Sequence, residues 1–340
     1  MVAHDLADRR PIDSAAPTAG RPASDATSPS GGASLRASLK SLPYSRQLEA
    51  LSPRGERRHA KSPPRPSRTP EPRVSQNPTP ENRPQPDGAT PPQADVATPE
   101  LLSFVAEPHA IANYQPSTGY GLFDAEYDGA RQELVVTVRC AFRFTAGNSE
   151  DFPAADPGAL TWDDDSKSEW RKGFIDLIGA RWSGTHAFRC TGAGLESLRA
   201  AVRVQVVEAD RDWHFRLDVK RIPKGQWTGS SVTTHPGSKL ETNHADLDSE
   251  DMTPTPKGGS EGQLGAVHEF GHMIGLGDEY GSGTKIAHRA LVKDALGTEI
   301  SKGTSDDVMS CANRVGKQHD VTFLEALKKA TGVDEWIFAE

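Results

Sequence analysis

The stretch His268-Glu269-Phe270-Gly271-His272-Met273-Ile274-Gly275-Leu276-Gly277-Asp278-Glu279-Tyr280 carries most of the chemistry that can be identified in this sequence. Residues four apart lie on the same face of an α-helix, so His268 and His272 can present two imidazole nitrogens to one metal ion. Glu269 follows the first histidine, where a carboxylate can reach a metal-bound water and act as general base without ligating the metal. The spacing predicts one catalytic zinc site on a helix.

A third ligand is expected just after this helix. Gly275 allows the chain to leave the helix sharply, and Asp278 then arrives as the candidate third ligand. The fourth position would be left for water, which distinguishes a catalytic zinc site from a structural one. Two alternatives to Asp278 remain open, namely the adjacent Glu279 and His319, which a folded-back C-terminal segment would bring to the metal.

The first 100 residues differ sharply from the rest in composition. They contain 18 of the 26 prolines and one aromatic residue, Tyr44, whereas all six tryptophans lie further along the chain. A segment so poor in apolar side chains cannot offset the entropy lost on folding. We therefore predict a disordered Pro/Ser/Arg-rich tail at 1–100 and one folded domain at 101–340.

Charge divides along the same boundary. The first 100 residues carry 14 Lys and Arg against 11 Asp and Glu, and the remainder carries 25 against 36. An acidic domain argues against nucleic acid as its main partner. The basic run Arg54 to Arg73 fits a solvated linker, a contact with an anionic surface or an address read by an export apparatus. The N-terminus lacks an apolar signal-peptide core, and no stretch approaches the roughly 18 apolar residues of a membrane span.

Apolar periodicity predicts an α+β domain. Strands are expected at 134–144, 201–208 and 213–219, where β-branched and aromatic residues are concentrated. Between the first two, the cluster Asp163 to Ser166 can cap a helix whose apolar stripe is Trp170, Phe174, Ile178 and Trp182. Further helices are expected at 286–296 and 321–330, the second capped by Asp320 and ended by Gly332. This order predicts a twisted mixed sheet with packed helices.

Several polar residues fall outside this pattern. The acidic run Asp246 to Asp251 is expected to be a solvated loop, with a Ca²⁺ site as the alternative. Cys140 and Cys190 are either bridged or buried as free thiols. His235, His244 and His288 match no motif, and surface positions are expected for them.

The arrangement His268-Glu269-x-x-His272-x-x-Gly275-x-x-Asp278, followed by Met309, resembles the metzincin clan of zinc endopeptidases, and within it the snapalysin type, which has Asp as third ligand. The resemblance implies a zincin-like domain with an active-site helix, a Met-turn at Asp307 to Cys311 and a C-terminal helix. Met309 would form an apolar floor beneath the metal. Many metzincins have Tyr two residues after that Met, where this chain has Cys311; Tyr280 is the nearest substitute in sequence.

The same resemblance implies a peptidase that binds its substrate beside an edge strand, here within Trp227 to Thr234. Zinc held by His268, His272 and Asp278 would activate water, with Glu269 as general base. The tail followed by the domain also resembles, more loosely, peptidases carried as cargo of bacterial contractile injection systems, which implies export without a Sec signal. Two other function classes stay open: a binding or structural module with zinc, and a hydrolase of a non-protein amide such as peptidoglycan.

Overall fold

The computed structural model describes residues 98–340, except positions 236, 238, 259–260, 281–285 and 301–305. Nearly all of the predicted tail, and with it the basic run, lies outside the described residues. The first described helix, α1 (Pro99–Ala106), starts with Thr98 as its N-cap, so the last two residues of the predicted tail belong to a helix. No helix in the described part of the chain is long and apolar enough to cross a membrane.

Among the described residues, nine strands and four further helices follow α1. The strands are β1 (His109–Tyr114), β2 (Phe123–Asp128), β3 (Glu133–Thr145), β4 (Ala187–Cys190), β5 (Arg199–Glu208), β6 (Phe215–Lys220), β7 (Ser231–Thr233), β8 (Asn243–Asp248) and β9 (Trp336–Phe338). The helices are α2 (Asp164–Trp182), α3 (Gly265–Met273), α4 (Ile286–Leu296) and α5 (Val321–Thr331). Short 3₁₀ turns lie at Pro157–Leu160 and Lys317–His319.

The strands form one mixed sheet in the order β7-β8-β6-β3-β5-β4-β9, with β2 joined to β3 and β1 joined to β2. β3 is parallel to β5 and β6, and β6 is parallel to β8, whereas the other pairs are antiparallel. β2 and β6 pair with the same edge of β3, β2 with its first half and β6 with its second half. The predicted α+β fold and the predicted strand at 134–144 are confirmed, and this strand is central in the sheet.

The helices α2 and α5 cover one face of this sheet. Along β3, alternate residues such as Leu134 and Val138 are fully buried. Phe142 continues this face and contacts the ring of Phe174 from α2, while Phe323 of α5 meets Phe123 of β2. The opposite face carries polar pairs such as Arg203 with Glu133 and Gln205 with Thr137. The apolar core therefore lies between the sheet and a single layer of helices.

Helix α2 confirms the predicted helix in detail. The Asp163 carboxylate accepts a hydrogen bond from Ser166 N at 2.7 Å, and the Ser166 side chain returns to the Asp163 backbone, which completes a capping box. All four members of the predicted apolar stripe are buried, namely Trp170, Phe174, Ile178 and Trp182. The helices predicted at 286–296 and 321–330 are α4 and α5, and Gly332 ends α5 with φ of +69°.

Three expectations need correction or completion. Asp320 precedes α5 but does not cap it through its side chain, because the carboxylate is bound to His186 Nδ1 at 2.7 Å. The Asp246 to Asp251 segment begins in strand β8 rather than in a solvated loop. Cys140 and Cys190 are both buried free thiols, and β5 lies between their strands in the sheet.

Candidate metal centre

The predicted metal-binding helix is α3, which carries His268, Glu269 and His272. It packs against α2 and lies beside β7 and β8, and its Val267 side chain is fully buried. The two imidazole rings meet edge to face with their centroids 4.9 Å apart. The spacing of four residues thus brings both rings to one side of the helix, as the sequence predicts.

Backbone carbonyls orient both imidazoles. Nδ1 of His268 lies 2.8 Å from the carbonyl oxygen of Val308, and Nδ1 of His272 lies 3.0 Å from that of Leu276. A carbonyl oxygen only accepts hydrogen bonds, so in each neutral ring Nδ1–H is the donor and Nε2 carries the lone pair. Both Nε2 atoms are therefore the ones available to a metal.

Asp278 brings the third candidate ligand to these nitrogens. Its Oδ1 lies 3.2 Å from Nε2 of His268 and 3.2 Å from Nε2 of His272. This oxygen is buried, and no donor among the described residues hydrogen-bonds to it. Three acceptor atoms thus face one another without a hydrogen to share, an arrangement that a cation would satisfy.

The separations match those of ligands around one ion. In a tetrahedral site with ligand bonds of about 2.1 Å, ligand atoms lie about 3.4 Å from one another. The two distances to Asp278 Oδ1 come within a few tenths of an ångström of that value, and the three ligand atoms all lie within 4.8 Å of one another. The His268, His272 and Asp278 cluster can therefore hold a metal ion.

Gly275 allows the chain to turn after α3, so that Asp278 can reach the two histidines. Its φ is +96°, and its amide closes onto the carbonyl of His272 at 3.1 Å. A Cβ at this residue would come within 2.8 Å of the carbonyl oxygen of Tyr120. Both the backbone conformation and the close approach require glycine, so the predicted sharp exit from the helix is confirmed.

The two alternative third ligands are bound to each other. His319 Nε2 lies 3.1 Å from Oε1 of Glu279, and both side chains are buried. Nδ1 of His319 accepts the Gly316 amide, so the ring donates from Nε2 to the carboxylate. The Glu279 amide also donates to the carbonyl of Met309 at 2.8 Å. This pair anchors the segment that carries Asp278, and it does not belong to the three-residue cluster.

The cluster is strongly polarised. Burial tends to raise the pKa of Asp278, but hydrogen bonds from the two facing imidazoles, which Nε2 donates when the rings are protonated, outweigh burial and hold this pKa well below its usual range. Burial tends to lower the pKa of His272, while Asp278, Glu269 and the Leu276 carbonyl outweigh it and raise that pKa. The site therefore favours a carboxylate at Asp278 and positive charge facing it.

Glu269 lies beside the cluster in a cleft of about 240 Å³. Its Oε2 is buried and has no hydrogen-bond partner among the described residues. The cleft is lined by the three cluster residues, by Glu269 and Tyr280, and by a stretch of the edge strand and its approach, Ser230, Ser231 and Val232. A carboxylate with an unused buried oxygen next to a cation site is placed to exchange a proton with a bound water.

The turn that follows supports α3 from below. A Cβ at Gly271 would overlap Sδ of the fully buried Met309, so the thioether lies directly against the helix next to His272. The turn itself is closed by the Ser310 amide, which donates to the Asp307 carbonyl at 3.0 Å. The predicted tight turn is present, and Met309 lies beneath the helix that carries the histidines.

Gln263 is a supporting residue that sequence reasoning missed. Its Nε2 lies 3.1 Å from the carbonyl of Val308 and 2.9 Å from that of Ser310. It thereby holds the turn whose Val308 carbonyl orients His268. A glutamine five residues before the first histidine carries no recognisable motif, because the two carbonyls that it binds lie more than 40 residues further along the chain.

Tyr280 and Cys311 occupy different surroundings. The Tyr280 ring lies nearly parallel to that of His268, with centroids 6.2 Å apart, and it is 43% exposed at the cleft. Cys311 is partly buried, and the Ser310 hydroxyl approaches its thiol at 3.8 Å. Tyr280 is therefore the tyrosine that reaches the cleft, as its place in the sequence suggests.

Two titratable residues are buried where surface positions were expected. His288 is fully buried: its Nδ1 accepts the Gly277 amide, and burial lowers its pKa to about 4. Asp251, from the expected acidic loop, is also buried, and its carboxyl group is hydrogen-bonded with the Ser230 hydroxyl. Asp248 binds Thr228 in the same way at 2.8 Å. Both acidic side chains are thus hydrogen-bonded to other side chains of the protein.

Comparison with protein-family models, with curated proteins and with solved structures finds no match to this chain. The functional interpretation therefore depends on the residues and their geometry.

Proposed function

We propose that this chain is a zinc-dependent endopeptidase. One observation carries the proposal: the ligand atoms of His268, His272 and Asp278 converge without a donor between them, and the buried Glu269 carboxylate lies beside them in an open cleft. Structural zinc sites use four protein ligands, whereas three leave a position for water or substrate. Among the described residues this cluster has three such ligands, which favours catalysis.

The donor set favours zinc over the other common divalent ions. Two imidazole nitrogens and one carboxylate oxygen suit zinc, whereas calcium and magnesium prefer oxygen ligands alone. The Nδ1 contacts of both histidines with carbonyls are the outer contacts that fix ligand orientation in such sites. The resemblance to the metzincin clan points to the same ion.

Glu269 is assigned the role of general base and then general acid. A zinc ion bound at this cluster would polarise the scissile carbonyl and lower the pKa of a bound water toward neutrality. Glu269 takes the proton of the attacking water and passes it to the leaving amine, so no covalent intermediate with the protein is needed. Its buried, unpartnered Oε2 is free to carry that proton.

The substrate is proposed to lie along β7. This strand lies at one end of the sheet order and pairs with β8 through three residues, and two of its residues, Ser231 and Val232, line the cleft. An extended peptide can add to such an edge through main-chain hydrogen bonds, which would bring its scissile carbonyl beside Glu269. This placement agrees with the edge strand expected between Trp227 and Thr234.

The decisive experiment compares Glu269→Gln with Glu261→Gln, a change at an exposed glutamate before the helix. We expect zinc content to stay at one per chain in both, while hydrolysis of unfolded casein falls by about 10²–10⁴ only in Glu269→Gln. Full activity of that variant with zinc bound would sink the assignment. Wild-type hydrolysis of peptidoglycan but not casein would indicate a non-protein amide, and zinc without turnover of either would indicate a module.

A further inference from the structure

Asp251 links the wall of the cleft to the start of the metal-binding helix. The Ser230 hydroxyl lies 2.8 Å from its Oδ1 and 2.7 Å from its Oδ2, and the Asp248 amide donates to Oδ2 at 2.7 Å. Ser230 itself lines the cleft, immediately before β7. One buried carboxyl group therefore holds the point at which the chain enters the edge strand.

The other side of Asp251 lies against α3. Its carbonyl accepts the Ala266 amide at 3.0 Å, in the first turn of the helix. A Cβ at Gly265 would overlap Oδ1 of Asp251, so the carboxyl group is fitted against the first residue of the helix. Three residues further along α3 comes His268. The same side chain thus contacts both the wall of the cleft and the helix that forms its base.

Asp248 strengthens the link from the end of β8. Its Oδ2 accepts hydrogen bonds from Thr228 N at 2.9 Å and from Thr228 Oγ1 at 2.8 Å. The segment 228–230 is thereby held at two points by side chains from 248 and 251. β7 adds only three residue pairs with β8, so these side-chain contacts are a large part of what fixes the wall.

Asp251 is suited to this position as a neutral acid. Burial and the nearby Asp248 and Glu269 carboxylates raise its pKa to about 8. The protonated carboxyl can donate to Ser230 Oγ while still accepting the Asp248 amide, and an asparagine can make the same two bonds. Above that pKa, Asp251 would become negatively charged while facing the side chains of Asp248 on β8 and Glu269 on α3.

We propose that Asp251 is a positioning residue of the peptidase, which holds the Ser230 end of the substrate-binding edge strand in register with the metal-binding helix. It acts through Ser230 and the wall, and it touches neither the metal ligands nor the substrate. The inference rests on the proposed peptidase function. It assigns substrate alignment, and hence KM, to a residue outside the three-ligand cluster and Glu269.

The test uses the full chain with four variants: Asp251→Ala, Asp251→Asn, Ser230→Ala, and Asp246→Asn as control. Asp246 lies on the preceding strand β8, is exposed, and is not among the residues that line the cleft. We expect Asp251→Ala to raise KM for a casein-derived peptide about tenfold, the value of one lost hydrogen-bonded link, with kcat changed less than about threefold. Ser230→Ala should move KM in the same direction, and the control should leave it unchanged.

The conservative variant separates positioning from general damage. Asp251→Asn should restore KM to within about threefold of wild type at pH 7. If ionisation of Asp251 raises KM between pH 7 and pH 9 in the wild type, that increase should be absent from Asp251→Asn. Hydrogen exchange should accelerate at 227–234 in Asp251→Ala but not in Asp251→Asn, with zinc content equal in all variants.

The outcomes are distinguishable. An inactive wild-type chain overturns the peptidase and the substrate role together. An active wild-type chain whose Asp251→Ala variant keeps the wild-type KM overturns the positioning role alone, as does loss of zinc in that variant. An Asp251→Asn variant as impaired as Asp251→Ala would show that the neutral acid is not what holds Ser230.

Discussion

Gly275 and Gly332 both adopt positive φ, but they differ in the space around them. Gly275 has φ of +96° and closely approaches the Tyr120 carbonyl, whereas Gly332 has φ of +69° with open space at its Cβ position. An alanine at position 332 should cost about 1 kcal/mol of unfolding free energy, because only the left-handed conformation is strained. An alanine at 275 should cost about 3 kcal/mol, since steric overlap is added to that strain.

The second effect of Gly275→Ala should be on metal binding. Relief of the overlap would displace the segment that carries Asp278, whose Oδ1 lies 3.2 Å from both histidines. Urea unfolding of both variants, combined with zinc titration, checks these expectations. Equal stability losses at 275 and 332, with unchanged zinc affinity, would contradict the role assigned to the close approach.

Asp251 should give the protein a specific dependence of stability on pH. Its pKa rises from an ordinary value of 3.8 to about 8 in the folded chain, mainly through burial. The folded state therefore keeps a proton that the unfolded state loses, so this group's contribution is complete below about pH 4 and is lost as pH rises through about 8. Within that window the slope is at most about −1.4 kcal/mol per pH unit.

Asp251→Asn removes this titration, so its stability relative to wild type should increase from pH 5 to pH 8 and then level off. Urea unfolding at pH 5, 6.5, 8 and 9 measures the difference, and Asp246→Asn, at an exposed residue, should show no such trend. A constant difference across the series would mean that Asp251 is ionised throughout.

The residues of the candidate site differ in how far sequence could predict them. His268, Glu269 and His272 follow from helical spacing, and Gly275 and Asp278 follow from the need to leave the helix and reach the same metal. Gln263, Ser230 and Asp251 act through partners distant in the chain, such as the 45 residues between Gln263 and Val308. No local pattern encodes such contacts, so they could not be predicted.

At the level of secondary structure, α2 offers a test of the core. Phe174 is fully buried, with its ring stacked on Trp170 at 5.3 Å between centroids and 6.0 Å from that of Phe142. Phe174→Ala should lower the free energy of unfolding by about 3–5 kcal/mol, because it removes a ring and leaves a cavity. Lys172→Ala, on the exposed side of the same helix, should change it by less than about 0.5 kcal/mol.

Denaturant unfolding monitored by tryptophan fluorescence measures both variants. Zinc content per folded chain should stay the same in each, since α2 contacts α3 but supplies no ligand. A loss below about 1 kcal/mol in Phe174→Ala would imply that the space refills and that the ring contacts matter less than their burial suggests.

Elements with a strong apolar period were predicted from that period, whereas β7 was expected only through the resemblance and the polar strand β8 was not predicted. The apolar residues that recur every four positions in α2, and the apolar run of β3, both contain more apolar side chains than a loop would. In β8, Asn243-His-Ala-Asp-Leu-Asp248, the inward positions include only two apolar residues, because the third is Asn243, which donates to the His214 carbonyl at 3.2 Å. Its acidic alternates suggested a loop, whereas pairing with β6 and β7 makes it a strand.

At the scale of the whole molecule, the described apolar core is formed by residues between Tyr114 and Phe338 that pack against one another. The placement of one folded domain at 101–340 by composition stays a prediction. The role of the tail, its contact with an export apparatus and the bacterial, Sec-independent export of the chain remain predictions from composition and resemblance. A peptidase exported with its tail would meet its substrate outside the cell that made it.

Metal binding should stabilise the whole domain, because an ion would add a further link between α3 and the segment that follows Gly275. His268 and His272 lie on α3, Asp278 lies beyond Gly275, and the Val308 carbonyl ties His268 to the turn that holds Met309. An ion that binds only the folded state adds about 2.7 kcal/mol to the free energy of unfolding at a free concentration of 100 Kd.

Zinc should therefore raise the thermal midpoint, a chelator should lower it, and Asp278→Asn should remove most of the response. Asp294→Asn, at an exposed aspartate on α4, should keep the full response. Calorimetry with and without chelator measures the shift of the thermal midpoint. If zinc does not change the midpoint of the wild-type chain, that result would argue against a site formed by these three residues.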